Sequence, residues 1–246
     1  MRNIRLLIEY EGTRYSGWQF QKEVPTIQGA IAEAVKKLVG HDAELSGASR
    51  TDAGVHAFGQ VASFKTDSRI SIFGIIHGLN FMLPEDISIR DAAEAPPDFD
   101  PRKDALGKTY VYRILNRSSP SAILRNFSWH VFKPLDMDLM RRGAIHLIGE
   151  KDFSSLMAAG SDAAHSVREV TAVNIEDRGD GLIEIEVKGT AFLRHMVRIV
   201  AGTLAEVGKG RLHPDDVDKV IGARDRTAAP MTAPSRGLFL MKVDYP

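Results

Sequence analysis

Hydrophobic and polar positions alternate at the start of the chain. Ile4, Leu6, Ile8 and Tyr10 are set against Arg5, Leu7 and Glu9, which predicts a half-buried strand. Glu11-Gly12-Thr13 breaks the period, and Tyr15-Ser16-Gly17-Trp18-Gln19 reads as an aromatic loop. Helical spacing follows: Ile27, Ile31, Val35 and Leu38 fall on one face, Thr26 is placed to cap it and Gly40 to stop it. Residues 41–46 lead into a stretch of small residues, and residues 55–64 read as the strand that leaves it. A second apolar helix is expected over residues 70–82, then a short strand around Ile87, Ile89 and Asp91. Strand, helix, strand, helix, strand describes an α+β unit with helices gathered against a sheet.

Residues 95–101, rich in proline and acid, read as a connection, so the chain divides into residues 1–105 and 106–246. Beyond it, residues 109–115 alternate as a strand, and Met137, Met140, Ala144 and Leu147 take helical spacing from Asp136 onward. Residues 170–176 and 182–188 form two strands joined by Asp177-Arg178-Gly179-Asp180-Gly181, a hairpin signal. A helix is expected from Thr190-Ala191 to about Val207, a short one after Pro214, and a last strand over residues 238–243. The second half loosely repeats the first in element order.

Length and composition narrow the class. The chain has 246 residues, 43% hydrophobic and 26% charged, the proportions of a globular protein with a substantial core. No apolar run approaches the ~18 residues of a membrane span, and the N-terminus passes into a strand with no cleavable signal. With no cysteine, disulfides and thiolate metal sites are excluded, and a reducing cytoplasm is the expected compartment. The eight histidines have no ligand spacing, so no metal is expected.

Net charge is zero, which argues mildly against a nucleic-acid binder. Residues 1–105 hold 12 basic and 15 acidic side chains, residues 106–246 hold 20 and 17. Arg102, Lys103, Lys108, Arg113, Arg117 and Arg125 are interrupted only by Asp104. That cluster reads equally as a binding surface concentrated by folding and as a solvated charged face.

Chemistry concentrates in one stretch, Ser46-Gly47-Ala48-Ser49-Arg50-Thr51-Asp52-Ala53-Gly54-Val55-His56-Ala57-Phe58-Gly59-Gln60. Small residues surround one cation and one carboxylate, and Gly47 and Gly54 allow sharp turns and close approach. Arg50 favours the ionised form of Asp52 where the fold brings them within a few ångströms. In an ordinary loop the same pair is a surface salt bridge worth about 0–1 kcal/mol.

The string Arg-Thr-Asp-Ala-Gly-Val-His-Ala, ending Gly-Gln-Val, closely resembles the catalytic motif of the TruA family of tRNA pseudouridine synthases. Ser49 departs from the glycine common there, while Arg50, Thr51, Asp52, Gly54 and His56 are in place. The likeness continues in order through residues 10–19, 99–102, 108–110, 192–198 and 237–240, nearly the whole chain. It implies an α+β fold of two halves whose antiparallel sheets join, with helices packed on them and the active cleft between.

The resemblance further implies an isomerase that converts uridine to pseudouridine in the tRNA anticodon stem-loop, at positions thirty-eight to forty. It makes Asp52 the nucleophile, places Arg198 against that carboxylate beside Arg50, and assigns Tyr110, Arg194 and Arg102 to the substrate. The implied reaction retains the base, so no cofactor is expected, and the resemblance also implies a homodimer, with one tRNA touching both subunits. By spacing alone, Arg194 and Arg198 share one side of the expected helix, a pattern that favours a solvated basic pair. Tyr110, like Tyr112, is by default a core aromatic. For Trp18 packing is expected, and for His56 a hydrogen-bonded framework role.

Two rival classes stay open. A hydrolytic RNA N-glycosidase acting through Asp52 needs a second carboxylate, and none stands out. A non-catalytic RNA-binding module would not need Asp52 at all.

Overall fold

The computed structural model describes residues 1–160 and 164–246. The chain forms two compact units: Met1–Leu106 with Phe239–Pro246, and Gly107–Leu238. The last strand was expected in the second half. From Phe239 onward it belongs to the first unit, through a pairing between residues far apart in sequence.

In the first unit, β1 (Arg2–Tyr10), β3 (His56–Thr66), β4 (Ile87–Ala95) and β10 (Leu238–Asp244) form a sheet in the order β4-β1-β3-β10. β1 is antiparallel to both β3 and β4, whereas β10 is parallel to β3, with Phe239 opposite His56. A short strand, β2 (Leu45–Gly47), adds antiparallel to β3. The alternation seen in the sequence has its physical counterpart: Ile4, Leu6, Ile8 and Tyr10 are buried while Arg5 is exposed.

Helices α1 (Ile27–Val39) and α2 (Ile72–Met82) pack on each other, and α2 packs on β4. Thr26 caps α1 by accepting from the Gly29 N–H at 3.2 Å, and Gly40 ends it at φ 80°, a conformation that suits glycine. Ser71 caps α2 in the same way. Asn80 locks α2 to the sheet by bonding both the N–H and C=O of Ile89, at 2.7 and 2.9 Å.

The second unit contains β5 (Gly107–Leu115), β6 (Trp129–His130), α3 (Met137–Ile145), β7 (Gly149–Asp152), β8 (Val167–Asp177), β9 (Leu182–Gly189), α4 (Met196–Gly208) and α5 (Asp216–Gly222). Its sheet runs β5-β9-β8-β7 antiparallel, with β6 parallel to β5. The β8–β9 hairpin lies where the glycine-rich turn predicts it. Asp136 caps α3, accepting from the N–H groups of Asp138 and Leu139. β2, β6 and β7 went unpredicted: at two to four residues they are too short to show a period.

One expectation is corrected. The helix predicted from Thr190 starts at Met196. The Thr190 N–H is already bonded to Glu169 O at 3.1 Å, the Arg194 carbonyl accepts from Ala158 N–H at 3.0 Å, and His195 is left-handed at φ 62°. These bonds hold residues 190–195 as a loop. Arg194 therefore lies outside the helix, and the shared helical side expected for Arg194 and Arg198 does not exist.

The run of basic residues is also partly spent internally. Arg113 pairs with Glu184 at 2.8 Å, Arg117 with Asp180 at 2.5 Å, and Arg125 donates to the Ala122 carbonyl. Among the described residues no helix is long and apolar enough to cross a membrane.

α4 is almost wholly buried, and residues 231–233 run against it. A Cβ on Gly202 would lie 2.0 Å from the Met231 carbonyl oxygen. In an exposed helix, glycine to alanine gains up to about 1 kcal/mol. Here we expect Gly202→Ala to destabilise by about 1–3 kcal/mol through overpacking, measured by denaturant unfolding.

Candidate active site

Gly47 ends β2 and His56 begins β3, so residues 48–55 form a loop with a strand at each end. Asp52 is half-buried there and Arg50 is exposed. The preceding aromatic loop, residues 11–19, supplies the support. The Trp18 N–H donates to Thr51 O at 3.0 Å, and the Gly54 N–H donates to Tyr15 O at 3.3 Å. The Gly12 N–H donates to His56 Nδ1 at 3.1 Å. The loop also closes on itself, Val55 N–H to Asp52 O at 3.1 Å.

Such close approach depends on glycine at two points. A Cβ on Gly12 would sit 2.0 Å from Val55 O, and one on Gly17 would sit 2.5 Å from Thr51 O. Gly17 also takes φ 94°, where a side chain is strained. Trp18 is a packing residue, as expected: its ring is buried, and a Cβ on Gly47 would strike it at 2.5 Å. Tyr15, also buried, donates to Asp86 Oδ1 at 2.6 Å. Burial, and then that bond, raise its phenol above the ordinary value. His56 is buried and stacks on Phe239 with centroids 4.8 Å apart, the framework role expected of it.

Two residues that the sequence reading did not single out act on the loop. Tyr10 and Thr51, 2% and 8% exposed, share a hydroxyl–hydroxyl hydrogen bond of 2.7 Å immediately before Asp52. Gln60, fully buried, binds the Ser49 backbone. Strand alternation marks Tyr10 only as a core position, and nothing local couples it to Thr51, 41 residues away. A cavity of about 290 Å³ on the same unit, lined by Arg5, Leu7, Val61, Arg90 and Val243 among others, has none of Arg50, Thr51 or Asp52 in its wall.

Arg102 is exposed in a turn held by Asp100, whose Oδ1 accepts from the N–H groups of Arg102 and Lys103. The other three expected site residues lie in the second unit. Tyr110 on β5 is buried, with Phe192 edge-on to its ring at 5.2 Å and 83°. Arg194 is exposed and donates to the carbonyls of Ala159 and Gly160. Arg198 on α4 is half-buried; its Nε donates to Ala233 O at 2.8 Å, and its own carbonyl accepts from Ala233 N–H at 3.1 Å. Tyr112, fully buried, donates to Pro234 O at 2.7 Å, and burial raises its phenol, which makes it a structural residue rather than an acid or base. Among the described residues no group of three or more His, Cys, Asp or Glu is placed to hold a metal.

The buried hydroxyl pair generates a test. Tyr10→Phe and Thr51→Val are each expected to cost about 1–3 kcal/mol in urea unfolding, because each strips a buried hydroxyl of this partner. In a double-mutant cycle the combined variant should cost less than the sum of the two.

A family model described as tRNA pseudouridine synthase matches residues 6–102 and 144–246. The tRNA pseudouridine synthase A of Acetivibrio thermocellus is 47% identical over 245 residues, covering 100% of both chains. That of Geotalea daltonii is 46% identical, again over 100% of both. A solved Cbf5–Nop10–Gar1 complex resembles 97% of this chain and 58% of that one, at 11% identity and a TM-score of 0.38, too loosely to support an argument. With the model matched over more than half of its length and relatives this similar from end to end, the chain belongs to the tRNA pseudouridine synthase family, a family of isomerases.

Proposed function

We propose that this chain isomerises uridine to pseudouridine in the anticodon stem-loop of tRNA, at positions thirty-eight to forty, with Asp52 as the nucleophile. The observation that carries the reading is the setting of Asp52. Asp52 is a half-buried residue in a loop whose main chain is bonded to a second loop on one side and braced by a buried hydroxyl pair before it. Catalytic groups gain most from that kind of immobilisation.

The chemistry suits one carboxylate. The N1–C1′ bond breaks, the uracil turns, and C5 joins C1′; a proton leaves C5 and another is taken up at N1. Atoms and electrons balance without redox change. Three routes use that carboxylate: attack on C1′ as N1 leaves, attack on the base, or removal of the 2′ proton to give a glycal. In each, Asp52 is regenerated at the end of the turnover. In this reading Arg50 and Arg198 belong to the catalytic set with Asp52, Tyr110 meets the target base, Arg194 meets phosphate and Arg102 binds the RNA. A uridine within a stem must first be extruded, at a cost of a few kcal/mol.

The reading is tested with unmodified tRNA, carbodiimide labelling and primer extension. Wild type should give label-dependent stops in the anticodon arm. Asp52→Asn should lose turnover by at least roughly a thousandfold while tRNA affinity stays within about threefold, because phosphate contacts supply most of the binding. Stops unchanged in Asp52→Asn would remove the nucleophile, and free uracil released from the RNA would indicate an N-glycosidase instead.

The same reading takes the active form as a cytoplasmic homodimer, which lets a chain of zero net charge assemble a longer basic path. Sedimentation at micromolar concentration should find two chains per particle. An active monomer would refute that part.

A further inference from the structure

The ladder between β2 and β3 pairs Leu45 with Phe64, Ser46 with Ser63 and Gly47 with Ala62. Continued in that register, Ala48 falls opposite Val61 and Ser49 opposite Gln60. The Ala48 N–H does donate to Val61 O, at 2.8 Å. One residue further on, the main-chain ladder gives way to a side chain. Gln60 Oε1 accepts from the Ser49 N–H at 3.3 Å and from the Val61 N–H at 3.2 Å, while Gln60 Nε2 donates to Ser49 O at 2.7 Å.

This carboxamide is 0% exposed. Filling the space alone would call for methionine or leucine, which carry no polar group to desolvate. A carboxamide does what those side chains cannot: it pairs both the N–H and the C=O of residue 49, which belong to two successive peptides, so the chain can leave the sheet there with both groups satisfied. Arg50 follows immediately, then Thr51, whose hydroxyl and carbonyl are held by Tyr10 and Trp18. The segment carrying Asp52 is thus fixed just before it begins and again one residue before the carboxylate.

We infer that Gln60 is a positioning residue for the isomerisation: its carboxamide ends the β2–β3 ladder and sets the direction in which the chain departs, and so aims Asp52. This rests on the proposed role of Asp52 as nucleophile.

The test compares Gln60→Met and Gln60→Glu with wild type in single-turnover and steady-state assays on unmodified tRNA, alongside thermal unfolding and amide hydrogen exchange. Gln60→Met should lower kcat on the order of 10- to 100-fold with KM changed by less than about threefold, the mark of misplaced chemistry rather than lost binding. The Ser49 and Val61 amides should exchange faster in that variant, an effect independent of which residue performs the chemistry. A protonated glutamic acid can donate to Ser49 O as the amide does, whereas the carboxylate cannot. Gln60→Glu should therefore be more active than Gln60→Met, with its deficit against wild type shrinking as pH falls.

A kcat per folded molecule within twofold of wild type in Gln60→Met overturns the inference. Unfolding of both variants at the assay temperature does so too, since Gln60 would then be only a core residue. If Asp52→Asn is inactive while Gln60→Met is fully active, this inference alone fails. If Asp52→Asn is active, the role of Asp52 fails first.

Discussion

Main-chain contact between the loop at residues 11–19 and the loop at residues 48–55 is the constraint on which the rest of the site depends. Trp18 N–H to Thr51 O and Gly54 N–H to Tyr15 O are bonds between two irregular segments, neither of which has a helix or ladder to satisfy it. Buried main-chain groups must find partners, and here each loop is the other's partner. The requirement is steric as much as electrostatic. Gly12 and Gly17 touch Val55 and Thr51 at distances that leave no room for a side chain. The loop bearing Asp52 is rigid because the aromatic loop is pressed against it, and Trp18 over Gly47 seals the contact.

Elsewhere in the first unit the same economy recurs. Asp86 accepts from both Tyr15 and Arg14, and its carbonyl accepts from Glu11 N–H, so the aromatic loop is itself tied to the entry of β4. Arg14 is largely exposed, so its ion pair contributes little; the better-buried Tyr15 bond matters more. In the second unit, residues 231–234 play the corresponding bracing part, clasped by Arg198 through Ala233 and by Tyr112 through Pro234.

Charge in this chain is used at short range. Zero net charge conceals arginines that are individually placed, some paired with carboxylates as Arg113 is with Glu184, others turned to backbone carbonyls as Arg194 and Arg198 are. A count of charges does not reveal this individual placement.

Local rules determined much of this protein. Alternation located β1, β5 and the β8–β9 hairpin, the cap at Thr26 lies where α1 begins, and a fifteen-residue string of small residues marks the loop with Asp52. These features depend on neighbours in sequence, so the sequence displays them. Tertiary structure decided the rest. It started α4 at Met196 instead of Thr190, because the backbone of residues 190 and 194 is bonded to Glu169 and Ala158. It sent the last strand to the first unit, parallel to β3. It set Tyr10 against Thr51 and bonded the Gln60 carboxamide to the Ser49 backbone. Each of these is a hydrogen bond or pairing between residues distant along the chain, and no periodicity or propensity encodes which distant partner a buried polar group will find.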